Sequence, residues 1–145
     1  MHSTAIPAIK HRVLSLDGGG AKGVYSLGFL SRLGKDAGKP LRELFDVIFG
    51  TSTGSIIGTL IAVGTPVDMI YDLYLAHIPE VLSPWTASNR SRLLAATVET
   101  LLGKYSFADL TKPVGIVATN WDKQAGKALD RRYVTLGRRL FPALS

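Results

Sequence analysis

The chain has 145 residues, of which 46% are apolar, and this is enough for one domain with a buried core. It contains no cysteine, which excludes disulfides and thiolate metal sites. The formal net charge is +6, and the last 25 residues carry six basic against two acidic side chains. The excess positive charge therefore belongs to the tail and says little about the fold. We expect no nucleic-acid partner.

Two features of the chain bear on where the protein works. The apolar stretch at residues 56–63 is interrupted by Gly58 and Thr59, and it is far shorter than the ~20 residues that a membrane-spanning helix needs. Residues 1–7 lack the apolar core of a secretory signal. We therefore expect a single soluble, cytoplasmic domain over residues 1–145.

Short apolar runs alternate with helical periodicities along the chain. The predicted strands cover residues 12–16, 45–49 and 114–119. The predicted helices cover residues 24–35, 53–63, 65–76 and 92–102. This order is typical of an α/β fold, in which crossover helices connect the strands of a parallel or mixed sheet.

The second predicted strand runs into a turn with the sequence GTSTG at residues 50–54. The pattern G-x-S-x-G between a strand and a helix is that of a nucleophile elbow, which exposes a serine hydroxyl on a strained turn. Gly50 and Gly54 leave room for such a turn, and Ser52 is then the candidate nucleophile. The same pattern also fits a tight turn whose serine only caps the following helix.

The first predicted strand runs into the sequence DGGGAKG at residues 17–23. One interpretation is a plain glycine-rich turn. Another is an oxyanion hole, in which bare amide groups near a helix start face a developing negative charge. In that case Asp17 would hold the turn by accepting backbone hydrogen bonds, and Lys22 would be a surface charge. The donors would be the amides of Gly18, Gly19 and Gly20.

A third interpretation of the same turn is dinucleotide binding. Gly18, Gly20 and Gly23 fit the pattern G-x-G-x-x-G, and Glu43 or Asp46 follows about twenty residues later, where a ribose-binding acid is expected. Asp46 argues against this interpretation, because it lies at the beginning of its predicted strand and not at the end, where a ribose would be bound.

Histidine placement disfavours an ordinary catalytic triad. The histidines are His2, His11 and His77. Only His77 follows Ser52, and its candidate acids, Asp68 and Asp72, are too close along the same predicted helix to build the Ser, Asp, His order of an α/β-hydrolase.

Taken together, the two turns resemble those of the patatin-like phospholipases, whose pattern is a DGGGxRG-type oxyanion loop followed by a GTSxG-type elbow. The separation of 35 positions from Asp17 to Ser52 suits that family, and the resemblance covers about residues 11–120. It implies a patatin-like three-layer sandwich with Ser52 as the nucleophile. The implied oxyanion donors are Gly18, Gly19 and Gly20, and the residues that support the two motifs are Asp17, Lys22, Gly23, Gly50 and Gly54.

The resemblance also implies a chemistry. Members of the family use a Ser-Asp dyad without a metal or an organic cofactor, and they release a fatty acid from a phospholipid or a related lipid ester. Their aspartate lies in a later Asp-Gly motif, but no Asp-Gly pair follows Ser52 here. We therefore expect a truncated form, in which Asp122 or Asp130 would have to replace the base. The alternative is a non-catalytic, lipid-binding or regulatory protein with the same fold.

The tail beyond residue 120 has a pattern of its own. Apolar residues recur at helical spacing at Leu129, Tyr133, Leu136, Leu140 and Leu144, and the opposite arc carries Arg131, Arg132, Arg138 and Arg139. This pattern predicts a basic amphipathic helix, which either packs on its own domain or makes peripheral contact with an anionic membrane surface.

Overall fold

The structure is a computed structural model that describes residues 11–82, 86–122 and 127–136. Its strands are β1 (Val13–Leu16), β2 (Val47–Thr51), β3 (Val114–Asp122) and β4 (Lys127–Leu136). They form one sheet in that order, in which the first three strands are parallel and β4 is antiparallel to β3. The predicted α/β fold with a mixed sheet is confirmed.

Helices make up both crossover connections of the parallel strands. They are α1 (Gly23–Ala37), α2 (Leu41–Leu44), α3 (Thr53–Ala62), α4 (Val67–Leu82) and α5 (Ala87–Leu102). Helix α1 ends at Gly38, which adopts the left-handed conformation. Helix α5 begins earlier than predicted, because the Thr86 side chain accepts a hydrogen bond from the Asn89 amide and caps it. Among the described residues, no helix is long and apolar enough to cross a membrane.

One face of the sheet carries the core. The strand register aligns Leu14 with Ile48 and Ile48 with Val114, so these residues share a face. Helix α3 packs on this face, and its Gly58 lies so near that an added Cβ would be 2.9 Å from the Ile48 side chain. Helices α1 and α4 extend the same core with Leu27, Leu30 and other fully buried residues.

The opposite face of the sheet is less covered. Val13 is 53% exposed there, Ser15 is exposed, and Phe49 and Val117 are half-buried. The described residues therefore build the sheet and the helical layer on one of its faces.

The prediction of an amphipathic helix in the tail is wrong for residues 127–136. These residues form β4, which pairs with β3 from Leu136 opposite Ile116 to Lys127 opposite Asp122. Tyr133, Val134 and Thr135 belong to residue types that favour strands, and pairing with β3 gives their backbone groups hydrogen-bond partners. Residues 127–136 therefore do not provide the amphipathic helix that the predicted membrane contact requires. Arg138, Arg139, Leu140 and Leu144 lie outside the described residues.

The contact between α3 and the sheet leads to a stability prediction. Replacing Gly58 with valine should lower the free energy of unfolding by about 1–3 kcal/mol, because the new side chain overlaps the fully buried Ile48. Chemical denaturation followed by circular dichroism would measure the change. The matched control is Gly28→Val on α1, where nothing lies within 4 Å of an added Cβ. An equal loss in both variants would contradict close packing of α3 on the sheet.

Candidate active site

Ser52 lies in the turn from β2 to α3 and has an unusual backbone. Its φ is 51° and its ψ is −128°, and it is the only non-glycine residue with positive φ in the described part of the chain. Such a conformation costs about 1–3 kcal/mol and occurs where surrounding structure imposes it. The residue is exposed. This is the geometry of a nucleophile elbow.

The hydroxyl of Ser52 does not cap the helix. Ser52 occupies the N-cap position of α3 but makes no side-chain capping hydrogen bond. Its carbonyl oxygen instead accepts hydrogen bonds from the Ser55 amide at 2.9 Å and the Ser55 hydroxyl at 2.5 Å. The turn is therefore held by backbone and by Ser55, which leaves the Ser52 side chain unused by the fold.

The two glycines of the elbow lie where backbones meet. A Cβ on Gly50 would be 2.6 Å from Cα of Ser55, and a Cβ on Gly54 would be 2.6 Å from the carbonyl oxygen of Asp17. Any side chain at either position would separate β1, β2 and α3. These contacts give the physical reason for both glycines of the motif.

The glycine-rich turn at the end of β1 lies beside the elbow. A Cβ on Gly18 would be 2.7 Å from Cβ and 3.5 Å from Oγ of Ser52, and 3.1 Å from the carbonyl oxygen of Thr51. The sequence prediction required the serine and this turn to be neighbours. The structure brings them together.

The amides of this turn have no acceptor among the described residues. Where the structure describes the chain, it contains no hydrogen bond donated by the amides of Gly18, Gly19 or Gly20. Lys22 is exposed, and its stem runs beside Gly19, where an added Cβ would lie 3.4 Å from Cβ of Lys22. Asp17 is also exposed, and among the described groups its carboxylate accepts no hydrogen bond, so the predicted bonds that would hold the turn are not seen.

A residue that the sequence analysis missed holds the turn instead. Tyr74 on α4 donates a hydrogen bond from its hydroxyl to the Gly20 carbonyl, and its ring occupies the space beside Gly23. A signal was available: Tyr74 lies four residues from both Ile70 and Ile78, in the apolar stripe of α4. A buried tyrosine in such a stripe needs a partner for its hydroxyl.

Asp46, the candidate ribose-binding acid, is engaged elsewhere. Its carboxylate accepts hydrogen bonds from the Arg12 amide at 2.8 Å and the Arg12 guanidinium at 3.5 Å. The hydrogen bond from the Arg12 amide, and to a smaller extent the one from its guanidinium, hold the pKa of Asp46 below its usual value of 3.8. Asp46 precedes β2, at the end of the sheet away from the glycine turn. This position does not suit dinucleotide binding.

Several acids after Ser52 have structural partners or side chains outside the described part of the structure. Asp68 accepts a hydrogen bond from Ser31 at 2.7 Å and lies 3.7 Å from the Lys35 ammonium. Asp109 accepts hydrogen bonds from the Ser106 amide and hydroxyl, which lower its pKa. Asp122 and Asp130 lie in β3 and β4, and their side chains are outside the described part of the structure.

A cavity of about 350 Å³ opens beside the elbow, at the carboxyl ends of the parallel strands. Asp17 and Thr51 line it together with Phe49 and Val117, on the face of the sheet opposite α3. Ligands of open α/β sheets bind at this end of the strands. Among the described side chains, no three histidine or acidic residues form a group that could hold a metal ion.

Comparison with known proteins agrees with this geometry. The family model of the patatin-like phospholipases matches residues 14–141. A cUMP-AMP-activated phospholipase of Escherichia coli is 47% identical over 110 residues, which are 76% of this chain and 34% of the relative. A cGAMP-activated phospholipase of Escherichia coli strain TW11681 is 27% identical over an aligned length of 136 residues, and the match covers 81% of this chain and 38% of the relative.

A human protein gives a shorter match. The human calcium-independent phospholipase A2-gamma is 42% identical over 64 residues, which are 43% of this chain and 8% of the relative. The chain thus spans little more than a third of the length of its bacterial relatives. The family match extends over most of the sequence and includes both turns. The chain belongs to the patatin-like phospholipase family.

Proposed function

We propose that this protein hydrolyses ester bonds of phospholipids or related lipids, with Ser52 as the nucleophile. The observation that carries the proposal is the approach of two turns. Ser52 is exposed, has a backbone with positive φ and lies beside Gly18. Among the described residues, the amides of Gly18, Gly19 and Gly20 donate no hydrogen bond. Membership of a phospholipase family supports a lipid ester as the substrate.

The negative charge of the reaction would develop between the two turns. When Oγ of Ser52 bonds to the ester carbonyl carbon, the carbonyl electrons move to oxygen, and the oxyanion needs donors placed in advance. The amides of Gly18, Gly19 and Gly20 are the proposed donors. The start of α3 at Thr53 adds the partial positive charge of a helix N-terminus.

The reaction then proceeds through a covalent intermediate. The tetrahedral intermediate collapses, the bond to the lysolipid oxygen breaks, and that oxygen takes up a proton as the lysolipid leaves. The acyl group remains on Ser52. Water attacks the acyl carbonyl, the bond to Oγ breaks, and a fatty acid is released. Each half-reaction needs a group that accepts and then returns a proton.

We assign the proton acceptor to an aspartate outside the described side chains, as the second member of a Ser-Asp dyad. Among the described side chains, no carboxylate accepts a hydrogen bond from the Ser52 hydroxyl. Without such a base, the serine would be a weak nucleophile and the rate would fall by several orders of magnitude. A non-catalytic, lipid-binding or regulatory role is the second candidate, and this missing contact favours it.

We also propose that a cyclic nucleotide activates the hydrolysis. The observation behind this step is the 47% identity to a phospholipase that is named as cUMP-AMP-activated, together with the similarity to one named as cGAMP-activated. In this proposal the hydrolytic site is built by the two turns, and the nucleotide controls its use.

The first prediction concerns Ser52. The purified protein should release fatty acid from phosphatidylcholine vesicles, and Ser52→Ala should lower kcat by at least about a thousandfold, because the nucleophile is lost. The matched control is Ser91→Ala, which removes the hydroxyl of an exposed serine on α5 that makes no side-chain hydrogen bond among the described residues, and it should keep most of the activity. Full activity in Ser52→Ala would refute the proposal. One equivalent of fluorophosphonate bound at Ser52 without turnover would identify the non-catalytic form.

The second prediction concerns the contact between the turns. Gly18→Ala should slow fluorophosphonate labelling of Ser52 by about a hundredfold, because the added methyl group overlaps Cβ of Ser52 and moves the donors. The control Gly28→Ala places the same methyl group in open space on α1 and should leave the rate unchanged. Equal rates in Gly18→Ala and the wild type would mean that the turn plays no part in the chemistry.

The third prediction concerns activation. Adding cUMP-AMP, or separately cGAMP, should raise kcat on phosphatidylcholine vesicles by about tenfold or more, which corresponds to lowering the activation free energy by about 1.4 kcal/mol. Isothermal titration calorimetry on Ser52→Ala would separate nucleotide binding from turnover. Hydrolysis that is equally fast with and without either nucleotide would contradict this part of the proposal and leave the assignment of Ser52 intact.

A further inference from the structure

Tyr74 connects the helical layer to the glycine-rich turn. It is 5% exposed, and Ile70 and Ile78, one helical turn to either side, are 1% and 3% exposed. Its hydroxyl is the polar end of this apolar face of α4, and it donates a hydrogen bond to the carbonyl oxygen of Gly20. A buried residue of a long helix thus reaches the turn that carries the proposed oxyanion donors.

The Gly20 carbonyl accepts two hydrogen bonds. One comes from the Tyr74 hydroxyl, and the other comes from the amide of Gly23 at the start of α1. A carbonyl oxygen has two lone pairs, so both are used. Two donors from different directions fix the orientation of the peptide group that follows Gly20.

The turn needs such a constraint because of its composition. Three consecutive glycines have more accessible backbone conformations than any other tripeptide, and Gly19 and Gly20 adopt φ values of 153° and 53°. The ring of Tyr74 also fills the space where a side chain on Gly23 would lie. The turn is thus fitted to Tyr74 at two points.

We propose that Tyr74 is a positioning residue that holds the amides of the glycine turn where the oxyanion forms. This inference rests on the proposed function of Ser52. Donors that are oriented before the reaction stabilise the transition state without a cost of reorganisation, whereas donors on a mobile turn must first be ordered. Tyr74 does not touch the substrate in this scheme. It acts through Gly20.

The test compares two tyrosines of the same helix. Tyr74→Phe keeps the ring and removes the hydrogen bond to Gly20. The control Tyr71→Phe removes a hydroxyl that makes no hydrogen bond in the described part of the chain. Both variants and the wild type would be measured by hydrogen exchange of peptides that cover residues 17–23, by fluorophosphonate labelling of Ser52, and by steady-state hydrolysis of phosphatidylcholine vesicles.

In Tyr74→Phe we expect exchange of the hydrogen-bonded amides of Lys22 and Gly23 to speed up by about tenfold, since one hydrogen bond that orders the turn is lost. Labelling of Ser52 and kcat should both fall by about 5- to 50-fold, less than for direct loss of an oxyanion donor, with KM unchanged. Tyr71→Phe should match the wild type in every measurement. A merely structural role of Tyr74 would lower thermal stability without this selective loss of kcat.

A second variant approaches the same contact from the turn. Gly23→Ala keeps the Tyr74 hydroxyl but pushes its ring away, so it should reproduce the faster exchange and the slower labelling. If Tyr74→Phe labels and exchanges like the wild type, the inference is wrong. If the wild type is not labelled at Ser52, the proposed function fails, and the catalytic meaning of Tyr74 fails with it. Faster exchange in Tyr74→Phe would then show only that the tyrosine orders the turn.

Discussion

Backbone lies directly against backbone where the ends of β1 and β2 meet the start of α3. The carbonyl oxygens of Leu16 and Asp17 occupy the space that a side chain on Gly54 would need, and the backbone of Gly54 does the same for Gly50. A backbone atom cannot move aside as the tip of a side chain can, and densely packed interiors tolerate little added volume. These backbone contacts therefore fix how the sheet, α3 and both turns pack together. This packing sets the positions of the groups at the candidate site.

This fit explains why three kinds of group converge at one place. β2 leads into Ser52, which carries the hydroxyl, and β1 leads into the turn that carries the amides of residues 18–20. Helix α3 begins at Thr53, where its N-terminus has a partial positive charge. All three belong to rigid elements or to turns held by them, which is how a site keeps its geometry. The described residues thus contain the groups that our proposal assigns to polarising an ester carbonyl. The proton acceptor that we propose is not among the described side chains.

Local patterns predicted most of the parallel part of the fold. The strand before Asp17, the elbow at Ser52 and the helix that ends at Gly103 all follow from short-range signals, namely apolar runs and glycine stops. The tail could not be predicted in this way, because β4 forms by pairing with β3. The local spacing of leucines and arginines does not indicate such a pairing partner. The bond from Tyr74 to Gly20 spans 54 positions, so the apolar stripe of α4 indicates that the Tyr74 hydroxyl needs a partner but does not identify Gly20. The roles of Ser52 and the glycines remain predictions.

The backbone of Ser52 sets stability and chemistry against each other. Glycine reaches a positive φ without the steric penalty that a Cβ brings, so the fold by itself would favour glycine at this position. A hydroxyl can stand there only because the surrounding elements absorb the penalty. Selection for thermal resistance alone would therefore favour glycine at position 52, and keeping the proposed nucleophile there leaves the protein somewhat less stable than its architecture permits.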